Sequence, residues 1–285
     1  MAASSRDFLF IKGNAMTKKK KDNYGFSEST LSKQKDFEEI IGTHIDIIKA
    51  ILKRHNAWVN PYYWYFDLNA GPGVHKDAEY GFKIGSPLIF LNEAIEKRLP
   101  LNAILFENNK KNHASLLSSI SKLVIADKQL SKMNITIHNF SNEKLIEKHD
   151  TEVTRESYGL IYHDPKGRPN FDLLTRFYEN KHHPYIDLMI NCPCATIKRS
   201  TYYNSNTDEN RLLNEFLYGI DKKYWLIRKP YSRWQWSLII GTNWTDFPRF
   251  KQLGFLDKNS PEGQKLFKKY IFSNDDPRQT DNRRY

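Results

Sequence analysis

The sequence predicts an α/β fold: a mostly parallel sheet with helices on both faces. Three observations carry this reading. Short aromatic and apolar runs, the composition of strands buried on both faces, recur along the 285 residues. Segments with the helical spacing of three and four separate them. The last two runs are joined by a polar loop too short for a helical crossover, so they pair antiparallel. Alternating strands and helices argue for a parallel core. A last strand that turns back is the outline of a seven-stranded, methyltransferase-type Rossmann-like sheet rather than of a dehydrogenase.

Residues 1–26 read as a flexible basic arm, 27–272 as the domain and 273–285 as a polar, frayed tail. The arm carries Lys18-Lys19-Lys20-Lys21 just after Met16, which reads as a second start or a scar, and it lacks the pattern of a signal peptide. From Ser27 to Arg54, the positions Phe37, Ile40, Ile41, Ile45, Ile48, Ile51 and Leu52 follow the helical period, a preface that packs on the sheet. Tyr63 to Leu68 is the first strand, and it breaks at Ala70-Gly71-Pro72-Gly73. Val74 to Gly85 reads as an irregular polar working loop. Ser86-Pro87 opens a helix, with proline where a missing N–H costs nothing. Leu101 to Phe106 is the second strand, His113 to Ile125 a helix, Ile135 to Asn139 the third strand, and Lys144 to Asp150 a short helix or loop. Tyr158 to Tyr162 is the fourth strand, Phe171 to Glu179 a helix, Ile186 to Ile190 the fifth strand, and Asn210 to Tyr218 helical. Tyr224 to Ile227 and Trp234 to Ile240 are the returning pair, and Phe255 to Ile271 closes the domain.

In an open α/β sheet, ligands sit outside the carboxyl ends of the strands, near the switch in strand order. The chain places polar residues there: Asp67 and the Gly71/Gly73 turn, Glu107, Asn139, Asp164-Pro165 and Asn191. The two glycines allow positive φ and a close backbone approach to a ligand. Glu107, at the end of the second strand, suits the two hydroxyls of a ribose. Asn139 and Phe140 suit an adenine edge and face.

Charge and aromatics point to the partner. Lys plus Arg number 44 against 33 acids, a net charge of +11, and aromatics make up 14%. That mixture suits a phosphate backbone and unstacked bases, DNA or RNA. Two loops concentrate it: Lys198, Arg199 and Tyr202 after the fifth strand, and Arg228, Lys229, Arg233 and Trp234 between the last strands. Cys192 and Cys194 are the only cysteines, too few for a disulfide framework or a four-ligand zinc site, and this implies a reducing, cytoplasmic setting. No apolar run approaches the ~20 residues that span a bilayer, so no membrane partner is expected. His44, His182 and His183 lack metal-ligand spacing, and no metal is expected. Cys194, in a Pro-Cys turn, has two readings: a nucleophile for C5 methylation, or a small, partly buried side chain.

Tyr65-Phe66-Asp67-Leu68-Asn69-Ala70-Gly71-Pro72-Gly73, Gly85-Ser86-Pro87-Leu88 and His163-Asp164-Pro165-Lys166-Gly167 together resemble the three-Cys-motif partner family, a branch of the class I S-adenosylmethionine-dependent methyltransferases. The resemblance covers most of the chain. It implies that Asp67, Ala70, Gly71 and Gly73, in the turn that also holds Asn69, bind the methionine part of S-adenosylmethionine. It further implies that Glu107 binds the ribose and that Asp164, Pro165 and Lys166 lie beside the transferred methyl. Two positions depart from the family: Asn69 stands where an aromatic is usual, and Lys166 where an aromatic commonly follows Asp-Pro. The expected activity is methylation of a DNA or RNA base. The alternative is a non-catalytic nucleic-acid-binding partner protein with a vestigial cofactor pocket in a modification or defence system. Methylation of a protein or small molecule is a third reading, one that would not need the basic loops.

Overall fold

The computed structural model describes residues 28–54, 62–77, 81–127, 130, 133–144, 153–165, 167, 169–179, 183–193, 216–228, 236–244 and 248–271. The lysine run, residues 145–150, most of the Asn210 to Tyr218 helix and the polar tail lie outside these residues.

Ten strands are formed among the described residues: β1 (Tyr63–Asp67), β2 (Val74–Asp77), β3 (Gly81–Ile84), β4 (Leu101–Phe106), β5 (Asn134–His138), β6 (Tyr158–His163), β7 (Ile186–Pro193), β8 (Tyr224–Arg228), β9 (Trp236–Thr242) and β10 (Phe255–Asp257). The helices are α1 (Glu28–Arg54), α2 (Ser86–Glu96), α3 (Lys110–Ala126), α4 (Phe171–Glu179), α5 (Pro248–Gln252) and α6 (Pro261–Ile271). Eight strands make one sheet in the order β10-β8-β9-β7-β6-β1-β4-β5. The pairs β1–β4, β1–β6, β4–β5 and β6–β7 are parallel, and β9 runs antiparallel to both β7 and β8. This is the expected methyltransferase-type Rossmann-like sheet with its reversed strand. The expected count of seven becomes eight, because the start of the closing segment pairs with β8, Phe255 opposite Arg228.

Strand side chains alternate between two cores, as a sheet covered on both faces requires. Tyr63 and Tyr65 of β1, Leu160 and Tyr162 of β6 and Leu238 and Ile240 of β9 join α1, α2 and α3 on one face. Trp64 and Phe66, Ile161, and Ile239 join α4 and Phe267 of α6 on the other. The α1 stripe Phe37, Ile40, Ile41, Ile45 and Ile48 is buried, each side chain contributing on the order of 2 kcal/mol. A buried polar chain fixes the same helix. The Tyr63 hydroxyl lies 2.8 Å from Nδ1 of His44, whose Nε2 lies 3.0 Å from Oδ2 of Asp187 on β7.

Two elements differ from the sequence reading. Val74–Asp77 and Gly81–Ile84, expected to lie in an irregular loop, form a ribbon: β2 and β3 pair antiparallel from Val74↔Ile84 to Asp77↔Gly81, apart from the main sheet. Its polar side chains hide a strand that main-chain bonds hold. Helix α3 begins three residues before the apolar pattern, because Oδ1 of Asn109 caps it by accepting the N–H groups of Lys111 (3.0 Å) and Asn112 (3.1 Å).

The centre of the sheet tolerates no added atom. A Cβ at Gly159 of β6 would stand 2.0 Å from the carbonyl oxygen of Trp64 on β1. We expect Gly159→Ala to lose at least about 2 kcal/mol in urea unfolding, or not to fold. An unchanged midpoint would contradict this packing of β6 on β1.

Candidate functional site

Strand β1 pairs with β4 on one side and β6 on the other, so the direction of strand order reverses there. The carboxyl ends of these strands form the crevice that such a reversal opens. The chain leaving β1 is tied to both neighbours. The Leu68 N–H donates to the Tyr162 carbonyl and the Ala70 N–H to the Phe106 carbonyl, both at 3.0 Å. The Leu68 carbonyl in turn accepts from Nδ2 of Asn142 at 3.0 Å.

Gly71 and Gly73 both adopt positive φ, 67° and 76°. Their surroundings differ. A Cβ at Gly73 would press on Leu116 at 3.0 Å, so its bareness serves the close packing of α3. A Cβ at Gly71 would find nothing nearer than His75 at 3.9 Å, so this side of the turn is open. The Gly85 N–H donates to the Gly73 carbonyl at 2.6 Å and brings the start of α2 back to the turn.

Asp67 is fully buried beneath the turn. Its Oδ2 accepts from the hydroxyls of Ser86 (2.7 Å) and Tyr65 (3.1 Å), and its Oδ1 accepts from the Asn69 N–H (3.0 Å). It therefore organises the turn from below. Burial pushes its pKa from 3.8 up to about 6, against the pull of these three donors and with a small further push from the Asp164 charge. Burial also holds the hydroxyls of Tyr65 and Tyr162 well above their ordinary range, so both remain donors.

Asn69 has a partner at the end of β6. His163, buried at the end of β6, accepts the Asn170 N–H at Nε2 (3.1 Å), so its Nδ1 carries the proton and donates to Oδ1 of Asn69 (2.7 Å). Burial lowers the His163 pKa to about 4, opposed by Asp164. A neutral imidazole thus joins the turn after β1 to the turn after β6. Asn170 also accepts the Leu173 N–H at 3.1 Å in the first turn of α4.

On the β4 side, Glu107 is buried, with Oε1 accepting the Asn109 N–H at 2.7 Å. Asn139 is exposed, and its amide donates to the carbonyls of Glu107 (3.0 Å) and Asn108 (3.4 Å). Phe140 is half-buried, stacked on His138 at 4.5 Å between ring centroids, with the Lys144 ammonium 5.7 Å from its ring. On the β6 side, Asp164 is partly exposed. Its Oδ1 accepts from Nδ2 of Asn191 (2.6 Å), and its Oδ2 accepts from Nζ of Lys33 and, at 3.4 Å, from the Tyr162 hydroxyl. Pro165 follows, half-buried.

Asp67, Asn69, Ala70, Gly71, Gly73, Glu107, Asn139, Phe140, Asp164 and Pro165 therefore gather at one edge of the sheet. Arg228 does not belong among exposed phosphate contacts: it is buried at the end of β8, and its Nη2 lies 3.1 Å from Oδ1 of Asp36 on α1. A cation closing a strand against a helix is occupied structurally. Lys166, Cys194, Lys198, Arg199, Tyr202, Lys229, Arg233 and Trp234 lie outside the described residues. Among the described residues, no group of three His, Cys, Asp or Glu side chains could hold a metal ion, and no helix is long and apolar enough to cross a membrane. Lys33 and Asn142 escaped the sequence reading. A lysine four residues before Phe37, on the buried stripe of α1, was the available signal for the first, and Asn142 had none.

No family model matches the chain, and no curated protein matches it. Solved structures do. A Legionella pneumophila protein of the DUF519 family aligns over 82% of this chain and 92% of its own, with a TM-score of 0.48 at 13% identity. A Corynebacterium glutamicum protein aligns over 80% and 95%, with a TM-score of 0.46 at 10% identity. An rRNA methylase from Streptococcus thermophilus aligns over 76% and 97%, with a TM-score of 0.37 at 11% identity.

The two shifted groups have opposite effects on stability. Asp67 binds its proton more tightly folded than unfolded, so its contribution is complete below pH 3.8 and lost as pH rises through about 6; ionisation costs about 3 kcal/mol at neutral pH. His163 binds its proton less tightly folded, so its contribution is present above pH 6.5 and lost as pH falls through about 4. Between pH 4 and 6 the two slopes oppose each other. We expect the isosteric Asp67→Asn to make stability fall more steeply on acidification through this window, read from urea midpoints. Parallel curves for the variant and the unaltered chain would refute the buried placement of Asp67.

Proposed function

We propose that the chain is an S-adenosylmethionine-dependent methyltransferase that acts on a nucleic-acid base. The observation that carries this is the left-handed, open-sided Gly71 turn at the strand-order switch, with a carboxylate, Glu107, one strand away and another, Asp164, on the opposite strand. The site fits the cofactor in kind. A bare turn beside a carboxylate-bearing strand end offers backbone to the methionine part and two oxygens to a ribose, and Phe140 with Asn139 offers a face and an amide to an adenine.

When bound, S-adenosylmethionine supplies an electrophilic methyl group on a sulfonium, open to direct displacement by a nucleophile of the acceptor. The protein's work is placement and exclusion of water. Asn69, Ala70, Gly71 and Gly73 present the turn, and Asp67 holds it through Ser86 and the Asn69 N–H. Asp164 accepts a hydrogen of an amine acceptor, and Pro165 presents a carbonyl beside it. The positions of Lys166, Lys198, Arg199, Tyr202, Lys229, Arg233 and Trp234 in the sequence suit phosphate contact and base stacking. The net charge of +11 favours nucleic acid over a small-molecule acceptor.

Calorimetric titration with S-adenosylmethionine and S-adenosylhomocysteine tests the cofactor. We expect saturable binding that Gly71→Val abolishes, since it adds a β-branched side chain at φ 67°. Glu107→Ala should weaken binding at least about tenfold while the unfolding midpoint stays within about 1 kcal/mol. Absence of binding by the unaltered chain would favour the non-catalytic partner reading. Affinity for duplex DNA and for RNA should fall steeply as salt is raised from 50 to 200 mM. A flat response would remove the phosphate contacts from the proposal.

A further inference from the structure

Helix α1 reaches the acceptor side of the site with one charged group. Lys33 and Phe37 lie one turn apart on its buried stripe, and they meet two residues that stand two apart on the β6 edge: the Phe37 ring lies 4.4 Å from the Tyr162 ring, and the Lys33 ammonium pairs with Asp164. The pair is partly buried, with side-chain exposures of 21% and 27%. Neither partner is free to swing. On α1, the next residue, Gln34, donates to the Ile84 carbonyl of β3 at 2.7 Å, and Asp36 is held by Arg228 of β8. At Asp164, the Asn191 amide of β7 and the Tyr162 hydroxyl of β6 take up further lone pairs.

Lys33 is the cation that faces Asp164 among the described residues, and it comes from a helix outside the strand-loop-helix units that build the rest of the site. We propose that Lys33 is the positioning residue of the acceptor site: by pairing with Asp164 it fixes the orientation in which the carboxylate receives an N–H hydrogen of the incoming amine. This rests on the methyl-transfer reading and adds α1 to the machinery.

The test compares the full-length chain with Lys33→Met, Lys33→Arg, Asp164→Asn and the Lys33→Met/Asp164→Asn double variant. Transfer from methyl-labelled S-adenosylmethionine to total RNA and to genomic DNA is measured, with cofactor affinity by calorimetry and urea midpoints alongside. Lys33→Met should lower kcat at least tenfold with cofactor affinity unchanged, Lys33→Arg should restore most of the loss, and Lys33→Met should cost nothing further in the Asp164→Asn background. A merely structural lysine would instead move the unfolding midpoint and cofactor affinity together, and would add its loss to that of Asp164→Asn; that result overturns the inference. So does full turnover by Lys33→Met. Failure of the unaltered chain to bind cofactor or transfer methyl to either acceptor overturns the methyl-transfer reading itself, and this proposal with it.

Discussion

A carboxylate without exposed surface must find its donors inside the protein, and Asp67 finds them in three different elements. Tyr65 lies on its own strand, the Asn69 N–H lies in the turn, and the Ser86 hydroxyl opens α2. Without those bonds a buried charge would be untenable. With them, the end of β1, the left-handed turn and the first turn of the next helix become one rigid unit. The three donors offset part of the cost of keeping Asp67 ionised, and they fix the backbone from which the site residues of the turn hang.

The same solution appears twice. Tyr65-Phe66-Asp67 at the end of β1 and Tyr162-His163-Asp164 at the end of β6 each set a tyrosine hydroxyl against the carboxylate two residues on, and in the sheet Asp67 lies opposite Tyr162. The two carboxylates differ in access: the first is enclosed, and the second is partly open and paired with Lys33. The middle residues differ as well. Phe66 belongs to the core beneath, whereas His163 turns its imidazole to Asn69 and the start of α4.

Most of the fold was legible because burial on two faces writes apolar runs into strands such as Tyr63–Asp67 and Leu101–Phe106, and helical spacing into α1. What escaped was held by main-chain bonds or single polar atoms. The β2–β3 ribbon has polar side chains that carry no strand signal, and α3 starts at the Asn109 cap rather than at its first apolar residue. In the site, the strand-end residues were visible because topology alone gathers them. Asp67 and Arg228 share what charge and position alone do not reveal: each lies near the edge of the sheet, and each is held by an internal partner. Lys33 shows in the sequence only as a lysine on the apolar stripe of α1, because the contact that gives it meaning lies 131 residues away.

The ribbon inserted between Gly73 and Gly85 is closed at its base by the bond from the Gly85 N–H to the Gly73 carbonyl. Mechanically this is a short circuit. Both ends of the ribbon meet at the bond between Gly85 and Gly73, so that bond, and not the length of the ribbon, sets the distance from the glycine turn to the start of α2. A change of length within the ribbon leaves the spacing of the glycine turn and the start of α2 unaltered.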